Sequence, residues 1–178
     1  DWEKIISKEE RSMETLKETV RTIYSVLRKT EKYMAVQYDY IEEILPKDIF
    51  FITTQELLDM YPDCTPKERE YRITREKGAV FLMKVGKTLT NGERHDGRAP
   101  DYDDWNLNGD ILFWDSVNGQ AIELSSMGIR VSPESLDRQL TLAGCDSRRS
   151  LPFHRMLLNG ELPLTMGGGI GQSRVSML

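Results

Sequence analysis

A run of glycines near the end of the chain constrains the fold more than any other feature. It follows a short apolar segment, Leu162–Met166, that predicts a strand, and it precedes a predicted helix that begins at Gln172. The glycines are Gly167, Gly168, Gly169 and Gly171. Because glycine has no Cβ, such a backbone can pass close to a flat or bulky ligand. The following helix offers free N–H groups to an anion, and Arg174 can hold a phosphate or stack on a base.

The residues alone leave two interpretations of this run open. It is not a P-loop, because no Lys-Ser or Lys-Thr pair follows the glycines. A nucleotide-binding element is one interpretation, and a tight structural joint between a strand and a helix is the other.

The composition is that of an ordinary globular domain and argues against two classes of partner. Of the 178 residues, 39% are hydrophobic and 30% are charged, and the formal net charge is −5. This acidic balance gives no electrostatic footprint for nucleic acid, and no apolar run approaches the ~18 residues of a membrane span. Cys64 and Cys145 lie far apart without metal-ligand spacing, so they predict free thiols in a reducing, cytoplasmic compartment. We therefore expect no nucleic-acid partner and no membrane partner.

Hydrophobic periodicity predicts helices around a set of consecutive strands. Trp2–Tyr40 repeats apolar residues at three- and four-residue steps, and Ser7 with Glu10 predicts a capping box, so the main helix should start near Lys8. Strands joined partly by hairpins indicate an α+β fold with a mainly antiparallel sheet. The other predicted helices are Gln55–Tyr61, Lys67–Lys77, Pro133–Leu142 and Arg148–Leu158, and the predicted strands are Ile49–Thr53, Ala79–Val85, Leu107–Asp115 and Gln120–Val131.

Four blocks of the sequence together resemble a known family. GGGIGQSR, which ends at Arg174, resembles motif 3 of the class II aminoacyl-tRNA synthetase fold. With the blocks Arg94–Trp105, Leu107–Asp115 and Glu123–Val131, the chain resembles the aspartate–ammonia ligase (ammonia-dependent asparagine synthetase) family. The order and spacing of the blocks fit over nearly the whole chain.

This resemblance implies a fold, an assembly and a domain extent. It implies the class II synthetase-like catalytic fold, as a homodimer. Residues 1–178 would be a single catalytic domain, the C-terminal part of a longer polypeptide whose motifs 1 and 2 lie upstream. The family usually carries a longer loop between Trp105 and Asn106, so residues are expected to be missing at that junction.

The implied reaction is the ATP-dependent conversion of L-aspartate and ammonia to L-asparagine through a β-aspartyl-adenylate, with release of AMP and pyrophosphate. Bringing two anions together requires cationic side chains and Mg²⁺. Arg98 and Arg174 are the candidates for phosphate contact, and Arg174 takes that role by its motif position. Asp110 and Glu123 lie on neighbouring predicted strands, where they can bind Mg²⁺ or the ribose.

Further residues are candidates for binding aspartate and ammonia. Ser126 and Arg130 share one strand face, so Arg130 can hold the α-carboxylate in a bidentate fork while Ser126 adds a hydrogen bond. Asp103, and by resemblance Asp1, would hold the amino group or the incoming ammonia, and Asp103 could take a proton from ammonium. Gly128 would let the backbone approach the substrate.

Alternatives to this assignment remain open. Asp110 and Glu123 could equally be exposed strand residues, and Arg130 could pair with a surface acid. His95 could be a general base, but an exposed loop residue is the favoured interpretation, and His154 is expected to be structural. The chain could also be the catalytic core of an aspartyl- or asparaginyl-tRNA synthetase, or a catalytically silent paralogue that binds an amino acid or AMP.

Overall fold

A six-stranded sheet forms the centre of the molecule in a computed structural model, which describes residues 1–177. The strand order is β1-β6-β5-β4-β3-β2, and every pair is antiparallel except β2 and β3. The strands are β1 (Trp2–Ile5), β2 (Phe50–Thr53), β3 (Ala79–Met83), β4 (Asp103–Asp115), β5 (Gln120–Arg130) and β6 (Thr165–Ile170). The helices are α1 (Met13–Gln37), α2 (Thr54–Met60), α3 (Pro66–Lys77), α4 (Pro133–Leu142), α5 (Pro152–Leu158) and α6 (Gln172–Val175), with a 3₁₀ helix at Asp146–Ser150.

One face of the sheet is covered along its length by α1. Its side chains Leu16, Val20 and Tyr24 are buried against Phe81, Phe113 and other apolar residues of the strands. The opposite face is covered only in part. Helices α2 and α3 pack over β2 and β3, and α4 with α5 forms a third cluster beside Val131, where β5 ends. The part of this second face formed by β4, β5, β6 and β1, which we call the open face, carries polar side chains and glycines.

The first predicted helix is wrong at its start. Trp2–Ile5 is a strand that pairs with β6, and α1 begins at Met13 after the N-cap residue Ser12. The predicted Ser7/Glu10 bonds do form, since the Ser7 N–H donates to Glu10 at 2.7 Å and the Glu10 N–H donates to the Ser7 hydroxyl at 3.3 Å. They close only one turn, which shows that a capping-box sequence can stabilise a turn without starting a helix.

The glycines also differ from the prediction, because they do not form a loop. Gly167, Gly168 and Gly169 lie inside β6, between β5 on one side and β1 on the other. The predicted helix does begin at Gln172. The predicted helix Arg148–Leu158 is divided, because Leu151 is extended (φ −69°, ψ 149°) before Pro152, the first residue of α5.

The predicted fold class is confirmed. The sheet is mainly antiparallel with flanking helices. Strand β4 runs through Trp105 and Asn106, and its pairing with β5 shifts register between Asp103 and Asn108. The extent of the catalytic domain, and a longer loop at this junction, stay predictions.

Candidate active site

The register of the strands arranges the candidate residues in two adjacent rows across the open face. Asp110 of β4 lies opposite Ser126 of β5, which lies opposite Gly169 of β6. In the next row, Asn108, Gly128, Gly167 and Glu3 follow one another across the four strands. Arg130 and Asp103 are paired where β5 ends. The sheet thus brings together residues from widely separated parts of the sequence.

Arg98 reaches the first row from the segment that precedes β4. Its guanidinium donates to the Ser126 hydroxyl at 2.5 Å and to Asp110 at 2.6 Å. One N–H of the group, on Nε, is buried and has no partner within the described residues. The salt bridge is largely buried, so it fixes the guanidinium over the sheet and holds its charge in place.

Two carboxylates and a second arginine lie at the same end of the face. Burial raises the pKa of Glu123, and the charge of Asp110 raises it further. Arg174 donates to the backbone carbonyl of Glu123 at 2.6 Å, and its Nη1 lies 3.7 Å from the Glu123 carboxylate. The structure therefore places Asp110, Glu123, Arg98 and Arg174 in one region, which a ligand with both phosphates and hydroxyls could occupy.

The other end of the face is built around Arg130 and Asp103. Arg130 donates to one oxygen of Asp103 at 2.6 Å, while the second Asp103 oxygen is buried without a partner in the described part of the chain. Burial raises the pKa of Asp103, and this effect exceeds the opposing effects of Arg130 and Arg98. Arg130 also binds Glu3 through Nε and Nη2 at 3.0 and 2.8 Å, and its guanidinium lies 4.0 Å from the ring centre of Tyr102.

The glycines divide between the two faces of the sheet. A Cβ on Gly167 would overlap Glu3, and a Cβ on Gly169 would lie 2.6 Å from the Asp1 carboxylate, so both face the candidate site. A Cβ on Gly168 would lie 2.6 Å from the Cβ of Met127, on the side that α1 covers. The space above Gly167 is filled by the side chains of Glu3 and Arg130, whereas only the Asp1 carboxylate lies above Gly169, so Gly169 is the position of the three that a ligand on the open face can approach. Gly171 adjoins the Arg174 side chain.

Gly128 has a different environment from the one predicted. The space above it is filled by the side chains of Asp103 and Asn108, whose atoms would lie 2.8 Å from an added Cβ. Its missing side chain therefore makes room for the buried Asp103 carboxylate. A direct approach of its backbone to substrate stays a prediction.

Several residues of the site were not predicted from the sequence. Glu3 was missed because Trp2–Ile5 was interpreted as helix, and only its pairing with β6 places Glu3 beside Arg130. Tyr102 is adjacent to Asp103, and no local pattern marks its ring as a platform for Arg130. Arg11 donates to the Arg130 carbonyl at 2.6 Å and to Asp104 at 3.0 Å, a contact made across the fold.

Two wider properties of the described residues bear on cofactors and membranes. No group of three or more His, Cys, Asp and Glu side chains is arranged to hold a metal ion in residues 1–177. Over the same residues, none of the helices combines the length and apolarity that crossing a bilayer requires.

Comparison with known proteins gives one consistent family. A family model described as aspartate-ammonia ligase matches residues 1–178. A protein from Clostridium tetani named aspartate–ammonia ligase is 62% identical over 178 residues, which cover 100% of this chain and 52% of that protein. One of the same name from Fusobacterium nucleatum is 60% identical over 177 residues, covering 99% of this chain and 54% of its own length. The chain thus spans about half the length of the curated relatives it matches.

Solved structures give the fold. An aspartyl-tRNA synthetase from Entamoeba histolytica matches with a TM-score of 0.63 and 18% identity, covering 99% of this chain and 39% of that one. An asparaginyl-tRNA synthetase of the same organism, in complex with asparaginyl-adenylate, matches with a TM-score of 0.59 and 15% identity, covering 98% and 42%. At these identities the likeness establishes the class II synthetase-like fold alone.

Proposed function

The chain belongs to the aspartate–ammonia ligase family, and from this premise we propose that the protein makes L-asparagine from L-aspartate, ammonia and ATP. The aspartate β-carboxylate attacks the α-phosphorus of ATP, and the bond between the α- and β-phosphates breaks to release pyrophosphate. Ammonia then attacks the acyl carbon of the adenylate. The acyl C–O bond breaks, AMP leaves with the oxygen, and the nitrogen loses a proton to a base.

The observation that carries this proposal is the environment of Asp103. Its carboxylate is buried on the open face, one oxygen accepts from Arg130, and the other has no partner among the described residues. A raised pKa makes it a stronger base than an exposed aspartate. Such a group can bind ammonium and take its proton, so that ammonia is delivered to the acyl carbon.

The same face supplies a place for the substrate carboxylate. A guanidinium has five N–H donors, of which Arg130 commits Nε and one on each terminal nitrogen to Glu3 and Asp103. The remaining two, on Nη1 and Nη2, can match the α-carboxylate of aspartate in two parallel hydrogen bonds. Asp1 beside Gly169, with Ser126 in the same row, would complete the pocket for the amino acid.

The opposite end suits the nucleotide. Arg98 and Arg174 offer positive charge to the phosphates, and Gly169, over which only the flexible Asp1 carboxylate lies, would leave room for an adenylate beside Gly167 and Gly171. An asparaginyl-tRNA synthetase of the same fold forms a complex with asparaginyl-adenylate, which supports an aminoacyl-adenylate as a ligand of this fold. In the adenylation step, these arginines would offset the repulsion between the two anions that react.

Mg²⁺ fits this end of the site by the chemistry of its donors. Asp110 and Glu123 are two carboxylates close enough for the charge of one to raise the pKa of the other. Mg²⁺ is usually held by one or two carboxylates together with substrate phosphates, so a third protein ligand is not required. When bound, the ion would polarise the phosphates of ATP.

Turnover assays distinguish this function from the two alternatives. The full-length protein should release AMP and pyrophosphate from ATP and aspartate with ammonia, yield asparagine, and be unaffected by tRNA. Release that requires tRNA and yields asparaginyl- or aspartyl-tRNA would instead indicate a tRNA synthetase. Binding of aspartate or AMP without turnover would indicate the silent paralogue.

The family resemblance also underlies a proposed assembly and location. We expect a homodimer in the cytoplasm. Sedimentation velocity of the full-length protein tests the assembly, and a monomer at micromolar concentration would contradict it.

A further inference from the structure

The segment that carries Arg98 has no regular structure of its own. Among the described residues, none from His95 to Asp101 makes a backbone–backbone hydrogen bond. The position of the Arg98 guanidinium therefore depends on the side chains that attach this segment to the helices and to β4.

Downstream of Arg98 the attachment is redundant. The Ala99 carbonyl accepts from the Trp105 indole at 3.3 Å, and the Pro100 carbonyl accepts from Gln139 at 2.9 Å. Asp101 accepts from His154 at 3.0 Å and from Arg148 at 2.8 Å. Loss of any one of these bonds leaves the others in place.

Upstream of Arg98 a single buried polar contact attaches the segment, within residues 1–177. His95 Nε2 lies 3.0 Å from Glu70 of α3, and the two side chains are 1% and 9% exposed. The other upstream contacts are weaker or local. Asp96 and Lys67 are 3.8 Å apart and exposed, and Arg94 stacks over Trp105 at 5.1 Å. An isolated β-bridge pairs Arg94 with Thr88, which belongs to the same connection between β3 and β4 and not to α3.

The Glu70 carboxylate is ionised because of its surroundings. Burial would raise the pKa of Glu70, but hydrogen bonds from His95 and Lys67 outweigh it and hold the pKa below its ordinary value. An ionised carboxylate can only accept, so the His95 Nε2–H donates. Helix α3 is itself fixed by Ile73 in the apolar cluster under β3, so Glu70 is a rigid anchor.

We propose that His95 is a positioning residue, which with Glu70 ties the upstream side of the Arg98 segment to α3 so that the guanidinium reaches Ser126 and Asp110. The role given to Arg98 in binding phosphate rests on the proposed function. The attachment itself does not, and it can be measured separately.

Limited trypsin proteolysis of the full-length protein under native conditions, with the fragments identified by mass spectrometry, tests the attachment directly. His95→Leu removes the bond, His95→Gln keeps an amide donor, and His154→Leu is a matched control that removes the equivalent bond on the redundant side. A hydrogen bond to a charged group is worth roughly 10- to 150-fold in an equilibrium. We expect cleavage between Arg98 and Ala99 to be at least about tenfold faster in His95→Leu, and to stay near the parent rate in the other two variants, because trypsin can bind the Arg98 side chain only after it has left Ser126 and Asp110.

Kinetics then tests whether the attachment acts through Arg98. Misplacement of a positioned group can cost about 100-fold, so kcat/KM for pyrophosphate release should fall by about that factor in His95→Leu and largely recover in His95→Gln. In an Arg98→Ala background, His95→Leu should add no more than about twofold. If the reductions in kcat/KM caused by His95→Leu and Arg98→Ala instead multiply in the double variant, the proposal is overturned, because a general structural defect would act independently of Arg98.

The two measurements also separate this inference from the proposed reaction. If the parent protein releases no pyrophosphate, the reaction fails, and the cleavage rates alone decide the attachment. Unchanged cleavage after Arg98 in His95→Leu overturns the attachment whatever the activity. If His95→Leu does not fold, Glu70→Gln provides the same comparison, with an expected smaller acceleration because a neutral acceptor remains.

Discussion

At the scale of a single residue, substitution of Asp103 tests the two proposed half-reactions separately. Asn keeps the size and an acceptor for Arg130 but cannot take a proton from ammonium. We expect Asp103→Asn to slow asparagine formation by roughly 10²- to 10⁴-fold. Aspartate-dependent exchange of pyrophosphate into ATP should persist, because adenylation does not need this base. Equal loss of both activities would show that Asp103 acts by holding Arg130 in place.

Substitution of the two arginines at opposite ends of the open face, Arg130 and Arg174, should affect the binding of different substrates, aspartate and ATP. Arg130→Lys keeps the charge and loses the planar fork, so the apparent affinity for aspartate should fall by roughly 10- to 150-fold with ATP nearly unchanged. Arg174→Lys should weaken ATP and spare aspartate, since that side chain lies beside Glu123. Apparent constants for both substrates in each variant are the measurement, and the reverse pattern would show that the assignments are exchanged.

The sequence predicted individual residues of the site better than their partners. Arg98, Asp103, Asp110, Ser126 and Arg130 do converge on one face, as the motifs implied. Their function stays a prediction. Glu3 and Tyr102 were missed because their contacts depend on strand register and on the path of the chain before β4, which no local pattern encodes.

At the scale of elements, β6 offers a matched pair of substitutions. A Cβ on Gly169 meets only the Asp1 carboxylate, the end of a flexible exposed side chain, whereas one on Gly168 meets Met127 and the Ser126 backbone. Gly169→Val should therefore keep the fold and abolish ATP binding. Gly168→Val should destabilise the protein by about 1–3 kcal/mol, as overpacking typically does. Calorimetric titration with ATP and thermal unfolding of both variants test this, and unchanged ATP affinity in Gly169→Val would mean the glycines are only structural.

Helices and strands were predicted correctly where the hydrophobic periodicity was strong, and incorrectly where pairing with a strand distant in sequence determined the secondary structure. The strands around Val80, Ile111 and Ile122 and the helix that contains Val20 follow from their patterns. Trp2–Ile5 has no strong alternation and becomes a strand only because β6 offers it a partner. The glycines lack β propensity, and they are held extended by pairing with β5 and, at Gly167 and Gly168, also with β1.

At the scale of the whole molecule, the open face is the region that the described part of the chain leaves uncovered. Helix α1 seals one side of the sheet, and α2 with α3 seals part of the other. The remaining area concentrates carboxylates and guanidinium groups that pair with one another, such as Asp103 with Arg130 and Asp110 with Arg98. The free energy of unfolding should therefore depend on pH, and carboxylates whose pKa values are shifted in opposite directions should contribute with opposite signs.

Glu70 on α3 and Asp103 on the open face should change the stability in opposite directions as the pH falls. The pKa of Glu70 is lowered in the folded state, chiefly because bonds from His95 and Lys67 outweigh burial, so its contribution is complete above the unfolded pKa of about 4.3 and is lost as pH falls below it. Burial raises the pKa of Asp103, so its ionised form destabilises the fold. Protonation of Asp103 removes that free-energy cost as the pH falls from the folded-state pKa toward the unfolded-state pKa of about 3.9.

The two signs predict that substitutions change the acid stability in opposite directions. Relative to the parent, Glu70→Gln should make the unfolding free energy fall less steeply between pH 7 and about 3, because a group that loses stability in acid is removed. Asp103→Asn should make it fall more steeply, because the compensating gain disappears. Urea unfolding across this range measures both slopes. A slope for Asp103→Asn equal to the parent or flatter would mean that Arg130 holds the Asp103 carboxylate ionised, and Asp103 would then be an anchor for Arg130 rather than a base for ammonium.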